Sequence, residues 1–232
     1  MRLRKQLQKR LTDYDDPQSL GSRFRSRRLA PLKRTIEKVH RSNGTVRIID
    51  LGGRANYWDL VGHEFLKKNE VQLTLVNLPT EKALKHDQRY HQILGDACHL
   101  PNLESNSFDI VHSNSVIEHV GDWKKIKQFA NEARRLAPYH FIQTPYYWFP
   151  IEPHYMSFGH HWLPWPARAR RHRRKKGDKS QESFEKGMQA LSAEPFLLDI
   201  KRFSILFSDS VILKERVFGI LVKSLIAFRA PD

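Results

Sequence analysis

Between residues 44 and 145 the chain alternates short apolar runs with segments of helical spacing. "VRIIDL" (46–51) is β-branched and stops at Gly52 and Gly53, and "WDLVGHEFLKK" (58–68) then spaces its apolar residues three and four apart, which predicts a helix. "VQLTLVNL" (71–78), "QILGDA" (92–97), "SFDIVHSNS" (107–115) and "HFIQTP" (140–145) read as further strands, with "WKKIKQFANEARRL" (123–136) as an amphipathic helix before the last. Strands alternating with helices imply parallel βαβ units with right-handed crossovers, so the expected class is α/β with a doubly wound, Rossmann-like sheet. From 146 to 166 the chain turns to aromatics, His and Pro and breaks the pattern. A helix at about 180–192, a strand at "LLDIKRFSI" (197–205) and a terminal strand at "VKSLIAFRA" (222–230) are expected to complete the sheet, and no internal repeat is visible.

Composition narrows the class. At 232 residues the chain can bury a core without disulfides or metals. Its one cysteine, Cys98, excludes an intramolecular disulfide framework and every multi-cysteine metal site, and suits a reducing cytoplasm. The longest apolar stretch, 218–228, is too short to span a bilayer and is interrupted by Lys223 and Ser224. A formal charge of +15 points to an anionic partner, nucleic acid, phosphorylated substrate or acidic lipid surface. The basic residues concentrate in 1–41 and in "RARRHRRKK" at 168–176, which has seven Arg/Lys in nine positions. The organisation read from this is a basic, helical N-terminal arm (1–43) and one domain (44–232) with an aromatic and basic insertion at about 146–180. A solvated arm and a charged loop that bind nothing are the plain alternative for the two basic blocks.

In open parallel sheets ligands bind outside the carboxyl ends of the strands, and a glycine turn after the first strand lets a ligand approach the backbone. Gly52 and Gly53 sit there, but "GGRANYW" lacks the later glycines of G-x-G-x-x-G, so a smaller nucleoside cofactor is expected rather than a dinucleotide.

"IIDLGGRAN" (48–56), "LGDACHLP" (94–101) and "SFDIVHSNSVIEHV" (107–120), in that order and spacing, resemble the class I S-adenosylmethionine-dependent methyltransferases, in particular the type 11 group. The resemblance covers residues 44–145 closely and the C-terminal strands loosely. It implies a mostly parallel seven-stranded sheet with an antiparallel C-terminal strand, and S-adenosyl-L-methionine as cofactor. It also implies Asp50 and Gly52, with Gly53, at the methionine end of the cofactor, Asp96 and Ala97 at the adenine, and Asn114 and Glu118 beside it. Where such enzymes usually carry an acidic residue that grips the ribose, this chain has Asn77, which can accept a hydrogen bond but brings no charge.

A hydroxyl acceptor benefits from a base that removes its proton. The candidate is His154, after a Pro-fixed turn, with Glu152 placed to orient it. His119, Tyr146, Tyr155, His160, His161 and Trp162 are the candidate substrate wall. No metal is expected, since His154, His160 and His161 come without cysteines or an HExxH pair. The stretch after strand four, "SNSVIEH", argues against base N-methylation, and Cys98 lies on the adenine side, away from any covalent role.

"QTPYYWFPIEPHYMSFGHHWLP" (143–164), with the later "DSVILKERVFGILVKSLIAFRA" (209–230), resembles bacterial methyltransferases associated with surface polysaccharide and glycolipid synthesis. The resulting expectation is O-methylation of a glycan, glycolipid or related hydroxyl acceptor, carried on a phosphate- or lipid-linked group. The protein is then expected to be cytoplasmic or peripheral at the inner membrane face. The run Arg168, Arg170, Arg171, Arg173, Arg174, Lys175 and Lys176 would touch anionic membrane or RNA. An RNA methyltransferase and a noncatalytic module keeping the fold are the competing readings, with a nicotinamide oxidoreductase behind them.

Overall fold

The computed structural model describes residues 28–79, 89–152, 154, 157–168, 170, 185, 194–217 and 219–232. Residues 1–27 of the basic arm, the predicted helix at 180–192 apart from Glu185, Tyr155, and Arg171, Arg173, Arg174, Lys175 and Lys176 lie outside the described residues.

Seven strands form one sheet in the order β3-β2-β1-β4-β5-β9-β8. They are β1 (Val46–Leu51), β2 (Val71–Asn77), β3 (His91–Leu94), β4 (Ile110–Asn114), β5 (Tyr139–Pro145), β8 (Val211–Val217) and β9 (Leu221–Arg229). The first five run parallel, and β9 pairs antiparallel with both β5 and β8. Both faces of the central strands are covered, which is why they read as near-continuous apolar runs rather than as alternation. Ile48, Leu73, Leu75, Phe141 and Ile226 face helices α1 (Ala30–Asn43), α2 (Ala55–Val61) and α3 (His63–Lys68). Ile49, Leu51, Val76, Val111, Ile142 and Leu225 face α4 (Trp123–Leu136) and α5 (Ile200–Leu206).

The local signals explain most boundaries. In α1, Leu32, Ile36 and Val39 lie three and four apart on the buried stripe, and Gly44, with φ +77°, ends the helix by returning its N–H to His40. The described end of the predicted arm thus packs on the sheet, and Arg28 pairs with Glu215 of β8 at 3.4 Å. The predicted 58–68 helix is two helices, because Gly62 takes φ +100° between them. Helix α4 has the bounds read from its periodicity, with the Asp122 carboxylate accepting the N–H of Lys125 at its start.

Two C-terminal expectations are corrected. Residues 200–206, read as part of a strand, form helix α5. Asp199 caps it by accepting the N–H of Arg202, and Ile200, Phe203, Leu206 and Phe207 take helical spacing against α4. A short apolar run does not reveal its period unaided. Conversely, β8 went unread because it is a half-exposed strand at the sheet edge, with a register shift at Glu215/Arg216 and no alternation of apolar and polar residues.

Candidate active site

The carboxyl ends of β1, β2 and β4 carry the groups expected at the cofactor. Asp50 is buried, and its carboxylate accepts the indole N–H of Trp58 at 2.7 Å while lying 2.7 Å from Nδ1 of His112. Its side chain therefore braces the turn from below, and the approach to a ligand falls to the backbone of Gly52 and Gly53. Gly52 takes φ +75°, and a Cβ there would stand 2.6 Å from Val116 Cγ2; at Gly53 a Cβ would stand 2.1 Å from Asp50 Oδ2. Neither position has room for a side chain. The Asn77 amide donates to the Gly53 carbonyl at 3.0 Å, and its Oδ1 is buried without a partner, as is Oδ1 of Asn114. Two orphaned acceptors at the ends of β2 and β4, near the glycine turn, suit a ligand rich in hydroxyl and amino donors.

In the loop after β3, Asp96 accepts the N–H of Cys98 at 2.9 Å and pairs with Lys125 at 2.9 Å. Burial works against its charge, and the bonds from Lys125 and Cys98 outweigh it, so the carboxyl stays below its ordinary range. Glu132 of α4 accepts the N–H of Leu100, and Arg135 bonds the carbonyls of Leu100 and Leu103, so α4 holds this loop in place. Ala97 packs on the core of the same face, and burial pushes the Cys98 thiol up to about 12.

Past β4, Ser115 takes φ +55° and turns the chain into a 3-10 turn, Ile117–His119. This buries Glu118, whose Oε2 accepts the Thr144 hydroxyl at 3.0 Å and whose Oε1 has no partner. Burial raises its carboxyl to about 7. Glu118 and His119 open onto a cleft of about 600 Å³ whose wall includes Tyr147, Glu152, Trp165, Arg168, Phe196 and Arg202.

His154 lies between the short strands β6 (Ile151–Glu152) and β7 (Ser157–Phe158), in contact with two residues of the cleft lining, Glu152 and His119. Its Nδ1 lies 2.6 Å from the buried Glu152 carboxylate and its Nε2 lies 3.0 Å from Nε2 of His119. Burial opposes the charge of His154, but the bond and charge of Glu152 prevail and hold it above its usual value; burial and His154 together hold His119 below its own.

Of the predicted substrate wall, His119, His160 and His161 line the cleft. His160 is held by Glu194 at 2.9 Å and His161 by the Tyr147 carbonyl at 2.6 Å. Tyr146 instead packs on the core, and Trp162 lies outside the cleft lining, its N–H on the Tyr147 carbonyl. Tyr147, Trp165, Arg168, Glu194, Phe196 and Arg202 were missed as wall residues. Tyr147 and Trp165 lay in the stretch already singled out, but Glu194, Phe196 and Arg202 are brought in from a distant segment.

Residues 55–138 match the family model described as a methyltransferase domain. The CurJ carbon methyltransferase superposes with a TM-score of 0.52 at 13% identity, over 86% of this chain and 53% of its own. An O-methyltransferase family protein from Burkholderia thailandensis superposes at 0.48 with 16% identity, over 97% and 68%. Phosphoethanolamine N-methyltransferase 2 of Haemonchus contortus, in complex with S-adenosyl-L-methionine, does so at 0.45 with 15% identity, over 78% and 38%. The chain spans about half the length of the first two structures it matches. No curated protein matches its sequence. The sheet order and the superposition on the CurJ enzyme show a Rossmann-like methyltransferase fold, and residues 55–138 carry the segment that matches the methyltransferase-domain model.

Proposed function

We propose that the protein is an S-adenosylmethionine-dependent O-methyltransferase whose acceptor is a hydroxyl of a glycan, glycolipid or related molecule. The observation that carries the reading is two groups of residues reached from the β4–α4 connection: orphaned acceptors near the glycine turn, and a cleft beside an oriented histidine. The unpartnered Oδ1 atoms of Asn77 and Asn114 suit the ribose hydroxyls and the ammonium of the cofactor, and Asp96 suits the adenine amino group. When bound, S-adenosylmethionine supplies an electrophilic methyl carbon.

The protein's own part is positioning and proton removal. Glu152 holds Nδ1 of His154 and so orients the imidazole, leaving Nε2 as the atom that takes the acceptor's proton. Tyr147, Trp165 and Phe196 offer ring faces on which a sugar stacks, and Arg168 and Arg202 suit an anionic carrier group. The net charge of +15 favours a second reading, an RNA acceptor, whose binding would weaken steeply with salt.

The test is calorimetric titration with S-adenosylmethionine, S-adenosylhomocysteine and NAD, on the native chain and on Asp96→Ala. Selective binding of the methionine-derived pair, weakened in Asp96→Ala, supports the reading; a folded protein that binds none of them rejects it. His154→Ala is expected to keep cofactor affinity and lose turnover, and equal turnover would remove His154 from its role.

A further inference from the structure

We propose that Glu118, His119 and His154 form a binding site for one divalent transition-metal ion at the edge of the cleft. One ligand atom from each of the three lies within 4.8 Å of those of the others. The two Nε2 atoms stand 3.0 Å apart, and metal–nitrogen bonds of about 2.0–2.1 Å place neighbouring ligands about 3.0–3.4 Å apart, so the imidazoles already have the spacing of a chelating pair. Their rings meet edge to face at 86°, from chain segments 35 residues apart.

The surrounding groups complete the case. Oε1 of Glu118 is buried and has no hydrogen-bond partner, while Oε2 is fixed by Thr144. One cation would satisfy a Glu118 carboxylate oxygen and the two facing nitrogens together. Glu152 holds Nδ1 of His154 at 2.6 Å, the outer carboxylate that orients a ligating imidazole and raises its basicity. Two imidazoles and one carboxylate select zinc, cobalt(II) or iron(II) over calcium and magnesium, which prefer all-oxygen sites. Positions not taken by the protein would face the cleft. The expectation of no metal rested on His154 with His160 and His161, but those two are held elsewhere, by Glu194 and by the Tyr147 carbonyl.

For its consequence the inference rests on the methyl-transfer reading. Nε2 of His154 cannot both hold a metal and take a proton, so the loaded protein is the inhibited form and a chelator releases it.

The experiment titrates the chelator-stripped full chain with zinc by calorimetry and with cobalt(II) by visible absorption. One ion per chain is expected, with d–d bands of nitrogen ligation. Binding at least ten times weaker is expected in His119→Ala and in His154→Ala, and unchanged binding in the control His91→Ala. Absence of saturable binding, or binding in either His119→Ala or His154→Ala as tight as in the native chain, would overturn the site. The same samples are titrated with S-adenosylmethionine. Cofactor binding without metal binding removes only the metal site, and metal binding without cofactor binding removes only the methyl-transfer reading.

Discussion

The indole N–H of Trp58 reaches back across the Gly52–Gly53 turn to the Asp50 carboxylate at 2.7 Å, both side chains being fully buried. A residue within the helix after β1 thereby fixes the acidic residue near the end of β1 and the shape of the glycine turn between them. Trp58→Phe keeps an aromatic ring but removes the donor, leaving a buried carboxylate oxygen unpaired. A loss of about 1–3 kcal/mol in urea unfolding is expected. Cofactor affinity should fall with it, since the turn loses its brace; an unchanged unfolding midpoint would mean the bond carries no weight.

Asn77→Asp places an acidic residue where the methyltransferase resemblance implies one, yet it is not expected to help. The amide N–H now donates to the Gly53 carbonyl at 3.0 Å, and a carboxylate oxygen there would face another acceptor. Stability at neutral pH should fall by about 1–3 kcal/mol, with no gain in S-adenosylmethionine affinity. Thermal denaturation and calorimetry on one preparation check both, and tighter binding without loss of stability would refute the argument.

His140 gives the fold a dependence on pH. Its imidazole is buried, with Nε2 2.6 Å from the Ser210 hydroxyl. Burial lowers its pKa from 6.5 to about 4; Asp209 opposes the shift, while Arg229 and Arg134 add to it. The folded value lies below the unfolded one, so the unfolded chain binds the proton first. This contribution to stability is complete above 6.5 and is lost as pH falls from 6.5 towards 4, amounting to about 3 kcal/mol. Urea unfolding from pH 4 to 8 should show a shallower acid slope for His140→Gln than for the native chain. Parallel profiles would show that His140 is not the group responsible.

Cys98 should be inert in the folded state. It is buried, and burial, with Asp96 nearby, pushes its thiol up to about 12, so almost no thiolate forms at pH 8. A chromogenic disulfide reagent is expected to modify one thiol per chain in denaturant and to react more than about tenfold more slowly without it. Fast reaction of the native protein would reopen a nucleophilic role for this side chain.

What the amino-acid sequence determined by itself was local and periodic. The β-branched run before Gly52, the stripe of α4 and the Pro145 stop are each written within a few neighbouring residues, and backbone sterics and burial translate them directly into elements. The glycine turn and the loop around Asp96 were legible for the same reason. The period of 200–206 was not, because burial against α4 chose helix for a run too short to declare itself, and β8 took its place only by pairing with β9. The tertiary structure alone decided which polar groups meet. It set Asp50 against Trp58 and His112, sent His160 to Glu194, and brought His154 to His119, 35 residues away. A hydrogen bond is satisfied by whichever partner the packed backbone delivers, and that delivery depends on the whole sheet rather than on the residues beside it.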